Sequence, residues 1–312
     1  VFVIRELSRH YGVTPVLCTA TQPVLDKRSS FDFAFKEGFE SVQEIIEEPE
    51  KLSRTLERVR VERLNDLNPV GSAVLADKIL EENRSLLCIV NRKVDARELA
   101  LLLPKEQTIH LSTNMCAAHR LEVLAKIRRR LSEGERTLVI STSLVEAGVD
   151  LDFPVVYRAL AGLDSIAQAA GRCNREGTLN VGRTVVFTPE SQPAYVQSAV
   201  STAIDYLQEQ KLKDVFLPET FRSYFQEYFF MKGTSELDSH GILELLPDKN
   251  MEGICFQKAA EKFRLIDNDW QVALIVPFGE APALIDKLYA EPWNEKKLYR
   301  QLQRFSVNVT RP

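Results

Sequence analysis

Residues 86–111, LLCIVNRKVDARELALLLPKEQTIHL, place one helical pattern between two short apolar runs. Leu86–Val90 and Thr108–Leu111 have the length and composition of buried strands, and Val94–Leu103 has the spacing of a helix. Strands that alternate with helices build a parallel sheet with helices on both faces. This stretch therefore predicts a doubly wound α/β domain.

The same alternation continues on both sides of this stretch. We predict further helices at Val74–Glu82, Ala117–Leu131 and Ile166–Cys173, and further strands at Thr137–Ile140, Val155–Ala159 and Thr184–Phe187. Nearer the start, the pattern predicts a helix that ends at Gly12, a buried strand at Val13–Cys18 and a half-exposed edge strand at Arg54–Leu64. Nearer the end, it predicts helices at Tyr195–Gln210 and Glu219–Met231 and strands at Gln271–Pro277 and Phe305–Val309.

The composition excludes several classes of protein. Among the 312 residues 45% are hydrophobic and 27% are charged, which is typical of a folded globular chain. No apolar run is long enough for a membrane span or a signal peptide, so we expect a cytoplasmic protein. The net charge of −4 excludes a generally basic nucleic-acid coat. The five cysteines form no C-x-x-C pair, so no disulfide framework or metal site is predicted. The chain opens within a helical pattern and without Met, which predicts a part of a longer protein.

The strongest chemical signal is QAAGRCNR at residues 168–175. On a helix, Gln168, Arg172 and Arg175 would fall at i, i+4 and i+7 on one face, so that two guanidinium groups would point together. Arginine suits phosphate because its fork of donors matches phosphate oxygens and keeps its charge. Gly171 would allow close approach of a ligand. The alternative is a solvated basic helix face.

A second signal is STSLVEAGVDLD at residues 141–152, where a strand ends in a short helix. The hydroxyls of Thr142 and Ser143, together with backbone N–H groups, would form an anion site suited to a nucleic-acid phosphate. Simple N-capping is the alternative for both residues. Gly148 would let Asp150 turn back, where its carboxylate can accept from ribose hydroxyls or from an arginine.

Three shorter segments also follow predicted strands. Asn91–Lys93 and Ser112–Asn114 come directly after two of them, at the sheet edge where ligands bind in doubly wound folds. Thr19-Ala-Thr21 follows the strand predicted at Val13–Cys18. Its hydroxyls could relay between a nucleotide and a nucleic acid by switching partners.

Taken in order, these segments resemble the later motifs of superfamily 2 helicases. Thr19–Thr21 is similar to motif III, Cys88–Arg92 to motif IV, Thr142–Asp150 to motif V and Gln168–Arg175 to motif VI. The closer resemblance is to the helicase part of the CRISPR-associated helicase-nuclease of type I systems. It rests on LCTATQP (17–23), CIVN (88–91), VEAGVDLDFP (145–154) and QAAGRCNREG (168–177), in order and at family-like spacing, and it extends to tail segments at Phe263–Ile266, Val272–Val276 and Leu302–Val309.

The resemblance implies four segments. Residues 1–50 would be the end of the first RecA-like domain with a connector, and residues 51–194 the second RecA-like domain. Residues 195–232 would be linker helices, and residues 233–312 a small α+β C-terminal domain. The implied fold is a RecA-like doubly wound parallel sheet followed by these helices and this tail.

The resemblance also implies a function in antiviral defence. The chain would be the C-terminal part of an ATP-dependent single-stranded DNA translocase that unwinds and helps degrade invading DNA in type I CRISPR interference. ATP and Mg²⁺ would be bound mainly by the first RecA-like domain. The implied partners are the displaced DNA strand, a guide-RNA surveillance complex, and the nuclease and first RecA-like domains.

Residue roles follow from the same resemblance. Arg172 and Arg175 would contact the γ-phosphate, and Gln168 would couple the nucleotide to the domain interface. The nucleotide would also be approached by Gly148, Asp150 and Gly171. DNA would be held by Thr142, Ser143, Ser112, Thr113, Asn91 and Arg92, while Thr19 and Thr21 would link hydrolysis to movement. Ala169 departs from the wider superfamily, in which an arginine often follows the glutamine.

Several motifs of a complete helicase-nuclease are not in this sequence. It contains no G-x-x-x-x-G-K-[ST] phosphate loop, no D-E-x-H and no His-Asp pair. We therefore expect the chain alone not to hydrolyse ATP. Two alternatives remain: another superfamily 2 DNA or RNA helicase half, and a non-catalytic docking module.

Overall fold

Helices and strands alternate through the middle of the chain. The computed structural model describes residues 1–19, 21–27, 38–245, 255–263 and 271–310. The helices are α1 (Phe2–Tyr11), α2 (Pro49–Thr55), α3 (Ser72–Glu81), α4 (Lys93–Leu102), α5 (Ala117–Ser132), α6 (Leu163–Ala170), α7 (Gln197–Ile204), α8 (Pro218–Leu237), α9 (Phe256–Lys262), α10 (Ala281–Ala290) and α11 (Glu295–Leu302). The strands are β1 (Val59–Arg63), β2 (Pro69–Val70), β3 (Leu86–Val90), β4 (Thr108–Leu111), β5 (Leu138–Thr142), β6 (Val155–Ala159), β7 (Gly182–Pro189), β8 (Gln271–Ile275) and β9 (Ser306–Thr310).

The chain divides into two units. The first consists of Val1–Arg58, Ala161–Gln168 and Ala194–Leu265. The second consists of Val59–Leu160, Ala169–Pro193 and Ile266–Pro312. No helix of the described residues is long and apolar enough to cross a membrane.

A parallel sheet forms the centre of the second unit. Its strand order is β1-β7-β6-β3-β5-β4, with β2 added beside β7, and every adjacent pair is parallel. All residues of β3, β5 and β6 are buried, as expected for strands covered on both faces. The predicted α/β fold is confirmed.

Helices cover the two faces of this sheet. Because side chains alternate along a strand, Cys88 and Val90 of β3 pack with Ile79 of α3 and Leu99 of α4. Ile89, which lies between these two residues, packs on the opposite face of the sheet in a cluster that includes Ile127 of α5. The same sheet therefore has two separate apolar layers.

The second unit also contains the tail. Strands β8 and β9 pair antiparallel, close to the two strands predicted there. Phe305 and Leu302 pack with Cys116 and Ala118 at the start of α5, so the tail is attached to the sheet domain by an apolar cluster. Of the tail segment Phe263–Ile266, only Phe263 lies within the described residues.

The first unit consists mostly of helices. Helix α1 ends at Gly12 as predicted, in a left-handed conformation with φ of 65°. Tyr224 and Phe225 of α8 are buried, with ring centroids 5.2 Å apart. Gly233 interrupts the helical geometry of α8 at φ 64° and ψ 170°.

Three predictions of local structure are wrong. Val13–Cys18 is not a strand: none of the described strands pairs with it, and its apolar residues are exposed. The strand predicted at Arg54–Leu64 begins only at Val59, because Arg54 and Thr55 belong to α2, a helix that begins at Pro49. As predicted, that strand lies at the sheet edge. The helix predicted at Tyr195–Gln210 is α7 alone, flanked by 3₁₀ turns.

Candidate functional site

Three strands of the second unit end at one edge of the sheet. Val90 of β3 lies opposite Thr142 of β5, and Leu111 of β4 lies opposite Ser141. The segments that follow these strands therefore meet at the carboxyl edge, as the sequence predicts. Their roles in binding remain predictions.

Asn91 follows β3 and is held by the end of β6. Its Nδ2 donates to the carbonyl of Leu160 at 2.9 Å, and its Oδ1 accepts from Arg158 Nη1 at 2.7 Å. The neighbouring Arg92 is bound to Asp95, with Nε 2.8 Å from Oδ2, and donates to Ser191 Oγ at 2.9 Å. The hydrogen bond to Asp95 raises the pKa of Arg92. Both predicted DNA contacts thus have fixed side chains.

Hydroxyl groups follow β4 and β5. Thr142, the last residue of β5, is buried, and as the N-cap of the 3₁₀ turn Ser143–Val145 it makes no side-chain capping bond, so capping by Thr142 is not observed. Ser143 is exposed. Ser112 is fully buried and its Oγ accepts from Asn114 N at 3.4 Å, whereas Thr113 is exposed. Ser143 and Thr113 are therefore the hydroxyls presented to solvent.

Helix α6 ends at Ala170, earlier than predicted. Arg172 N donates to Ala169 O at 2.9 Å in a tight turn, and the chain then pairs with Phe153. Phe153 N donates to Arg172 O, and Asn174 N donates to Phe153 O, each at 2.9 Å. These bonds replace continued helical bonding, so the prediction that Gln168, Arg172 and Arg175 share one helix face is wrong. Gln168 is half-buried on α6, and Gly171 is exposed beyond its end.

Arg172 is buried against residues Thr142–Asp150, which we call the motif V segment. Its Nε donates to Val145 O at 2.8 Å and its Nη2 to Glu146 O at 2.6 Å. Burial lowers its pKa, and the positive charge of Arg175 lowers it further. An anion placed beside these two guanidinium groups would relieve their repulsion.

Arg175 is exposed and is held by two aspartates. Its Nε lies 2.8 Å from Asp150 Oδ1, and its backbone N donates to Asp152 Oδ1 at 2.7 Å. The second oxygen of Asp152 accepts from Glu176 N at 3.1 Å. Asp150 thus contacts the side chain of Arg175, and Asp152 fixes its main chain.

Two backbone conformations support these contacts. Gly148 has φ of 68°, which glycine adopts without strain, and the chain turns there before Asp150 as predicted. Asn174 has φ of 47° and closes the following loop: its amide donates to Leu179 O at 2.8 Å and accepts from Leu179 N at 2.9 Å.

A buried ion pair joins the motif V segment to β6. Glu146 Oε1 lies 2.9 Å from Arg158 Nε, with side chains 7% and 3% exposed. Arg158 also donates to the carbonyl of Ala159 at 2.8 Å. Glu146, which thus contacts the end of β6 with its side chain, is also the residue whose backbone carbonyl accepts from Arg172.

Sequence reasoning assigned no role to Asp152, Arg158 or Asn174, or to the side chain of Glu146. A signal existed for Arg158, a charged residue in the otherwise apolar strand VVYRA, and for Asp152, the second aspartate of the D-L-D sequence. Ala169 stands where the wider superfamily often has an arginine. In this structure Ala169 is fully buried in one of the two apolar layers of the sheet.

The remaining predicted residues belong to the first unit. Thr19 is exposed and its Oγ1 donates to Thr21 O at 3.1 Å, while Thr21 is buried. Ala20, between them in the motif, lies outside the described residues. Among the described residues, no three His, Cys, Asp or Glu side chains are grouped in a way that could hold a metal ion.

Comparisons with known proteins match the region that contains most of this site. A family model described as the C-terminal part of the CRISPR-associated nuclease/helicase Cas3 matches residues 82–178. The resemblance to the CRISPR-associated helicase-nucleases is confirmed. Cas3 of Haloferax volcanii is 52% identical over 69 residues, which are 21% of this chain and 7% of that protein. Cas3 of Methanothermobacter thermautotrophicus is 28% identical over 118 residues, which are 36% of this chain and 14% of that protein.

The fold is also similar to a solved Cas3. The crystal structure of T. fusca Cas3 matches with a TM-score of 0.60 at 17% identity, and covers 82% of this chain and 36% of that one. Its AMPPNP complex gives the same values. The chain therefore spans well under two thirds of the length of the Cas3 proteins that it matches.

Proposed function

We propose that this chain is the C-terminal part of an ATP-driven, single-stranded DNA translocase of the Cas3 kind. It would supply the arginines that contact ATP from the second RecA-like domain. Such a protein would unwind and help degrade invading DNA in type I CRISPR interference. The whole assembly would include the nuclease and first RecA-like domains.

One observation carries this proposal: the segment that holds Arg172 on the carbonyls of Val145 and Glu146 also supplies Asp150, the partner of Arg175, so the two arginines are held by one loop. Two neighbouring guanidinium groups favour a ligand with several negative charges, as a nucleotide triphosphate has. Arginines placed at a transferring phosphoryl group accelerate hydrolysis by about 10³ to 10⁵. A merely solvated basic surface would not bury Arg172 on two backbone carbonyls.

ATP is the nucleotide that we propose, and the AMPPNP complex of T. fusca Cas3 supports it. The phosphate loop and the Mg²⁺ ligands would come from the first RecA-like domain. In this chain Asp150 would accept from the ribose or orient Arg175, and Gly148 and Gly171 would allow close approach. Gln168 would couple the nucleotide to the domain interface.

DNA would be bound at the carboxyl edge of the sheet. The exposed hydroxyls of Ser143 and Thr113 and nearby backbone N–H groups are suited to phosphate oxygens, which carry no sequence information. Asn91, Arg92, Thr142 and Ser112 would shape this edge, and Thr19 and Thr21 would link hydrolysis to movement. The substrate would be the strand displaced by a guide-RNA surveillance complex.

The proposed cycle depends on domain closure. Closure would bring Arg172 and Arg175 to the γ-phosphate of ATP held by the first RecA-like domain, and hydrolysis would release them. Repeated closure would move one DNA strand in the 3′ to 5′ direction. This chain alone should not hydrolyse ATP, because its sequence has no phosphate loop.

The test measures DNA-stimulated ATP hydrolysis by a protein that contains this chain together with a first RecA-like domain. Arg175→Ala should abolish the stimulated rate and leave DNA binding nearly unchanged. Arg304→Ala is the matched control, because Arg304 is also exposed and paired with a carboxylate, Glu280. An Arg175→Ala variant that keeps more than about a tenth of the rate would refute the assignment.

Further measurements separate the alternatives. Binding that does not require DNA displaced by a guide-RNA surveillance complex would favour another superfamily 2 helicase. Absence of ATP hydrolysis when the first domain is supplied would favour a docking module. We would also measure the binding constant for single-stranded DNA at several salt concentrations. A plot of its logarithm against the logarithm of the salt concentration with a slope of about −0.7 per phosphate contacted would count against the docking module.

A further inference from the structure

We infer that the buried ion pair of Glu146 and Arg158 positions Arg172 and connects it to the carboxyl edge of the sheet. This inference rests on the proposed function, because it gives the ion pair a part in ATP hydrolysis. Glu146 and Arg158 are positioning residues in this scheme and contact neither ATP nor DNA.

Glu146 contacts both arginines with different atoms. Its carboxylate binds Arg158 Nε at 2.9 Å, and its backbone carbonyl accepts from Arg172 Nη2 at 2.6 Å. The side chain thereby fixes the peptide group that holds Arg172. All three residues are less than 9% exposed, so water does not screen these interactions.

Arg158 extends the connection to Asn91. Its Nη1 donates to Asn91 Oδ1 at 2.7 Å, while the amide of Asn91 donates to Leu160 O at 2.9 Å. Asn91 lies in the segment predicted to contact DNA. One ion pair and the hydrogen bonds on either side of it therefore join the predicted DNA edge to the arginine predicted to contact phosphate.

A buried ion pair is not the simplest way to stabilise this core. Desolvation of two charges offsets much of their attraction, and well-packed apolar pairs often replace such ion pairs without loss of stability. What an ion pair does provide is a defined geometry, because two opposite charges that water does not screen hold each other in place. Here the geometry that it fixes is that of the carbonyls beneath Arg172.

Loss of Arg158 would also redirect Glu146. The negative charge of Glu146 already raises the pKa of Arg172, so the two groups attract each other. A carboxylate deprived of Arg158 would compete for the Arg172 side chain and draw it from its two carbonyls. Removal of that carboxylate in the same protein should relieve the competition.

The first experiment is a double-mutant cycle on DNA-stimulated ATP hydrolysis, in the protein that contains the first RecA-like domain. We expect Glu146→Gln and Arg158→Met each to lower kcat about tenfold or more, with the KM for ATP changed less than about twofold. The double variant should lose no more than the worse single variant. Arg183→Met is the control, because Arg183 pairs with Glu62 and Glu82 elsewhere on the same sheet.

The second experiment needs no ATP hydrolysis. In this chain alone, the Arg172 Nε–H signal is assigned by its loss in Arg172→Lys, and its exchange with water is measured by NMR. We expect slow exchange in the wild type and in Arg183→Met, and at least about tenfold faster exchange in each single variant of the ion pair.

The outcomes distinguish the inference from the proposed function. Unchanged Arg172 exchange in both single variants would overturn the inference, as would unchanged kcat or additive losses in a protein that hydrolyses ATP. If the wild type hydrolyses no ATP, the proposed function fails, and the exchange experiment alone still decides whether the ion pair positions Arg172.

Discussion

The carboxylate of Asp150 forms an ion pair with Arg175, with Oδ1 2.8 Å from Nε. The side chains are 72% and 42% exposed, so solvent screens the pair, which contributes about 0.2–1 kcal/mol to stability. Arg172, in contrast, is buried on two carbonyls of the motif V segment. The two arginines therefore differ in mobility: Arg175 can leave its partner at little cost, whereas Arg172 is fixed in place.

Asp150→Asn should reduce activity without affecting stability. We expect DNA-stimulated ATP hydrolysis to fall about tenfold or more, because Arg175 or the ribose loses its charged partner, while the free energy of unfolding changes by less than about 1 kcal/mol. Asp66→Asn is the control, since the carboxylate of Asp66 is also largely exposed and pairs with an arginine, Arg63. Equal activities of the two variants would contradict the role of Asp150.

Asp152→Ala should lower both stability and activity. The substitution removes the acceptor of two backbone N–H groups, those of Arg175 and Glu176, and should cost about 2 kcal/mol in urea unfolding. Asp152→Asn keeps one acceptor oxygen and should cost roughly half as much. Asp238→Ala, which removes a similar bond to Ile242 N, should cost stability but leave ATP hydrolysis unchanged. Full activity of Asp152→Ala would show that the main chain of Arg175 needs no such support.

Gly148→Ala tests the turn before Asp150. No atom lies within 4 Å of a Cβ added there, so the cost is conformational and should be about 1–2 kcal/mol. Gly134 is matched in both respects, with φ of 72° and open space at its Cβ. We expect urea unfolding to report the same loss for both variants and only Gly148→Ala to slow ATP hydrolysis. A slower rate in Gly134→Ala would point to a general loss of structure.

Cysteine labelling tests burial beside the arginines. Burial raises the pKa of Cys173 to about 11, so at pH 8 only about a thousandth of this thiol is ionised. Native protein treated with iodoacetamide at pH 8 should be modified at the exposed Cys18 and spared at the buried Cys88, Cys116 and Cys173. All five should react in urea. Native modification of Cys173 as fast as that of Cys18 would contradict the packing of the segment around Arg172.

The sequence by itself determined the second unit's sheet and the location of the site. Apolar runs such as Leu86–Val90 have the length of a buried strand and are too short for a helix, and segments with helical periodicity separate them. Because parallel strands end at one edge, the polar residues after them had to meet there. The motifs that resemble a helicase needed no structure either, since they lie in order along the chain.

Only the tertiary structure decided how the arginines are held. The helical spacing of Gln168, Arg172 and Arg175 was misleading, because α6 ends at Ala170 where the backbone pairs with Phe153 instead of with the preceding turn. That pairing partner lies some twenty residues away in the chain, outside any local pattern. The buried Glu146–Arg158 pair likewise joins a loop to a strand, and such contacts depend on which segments the sheet brings together. Local periodicity determines elements, whereas burial and long-range hydrogen bonds determine where each element stops and which charges meet.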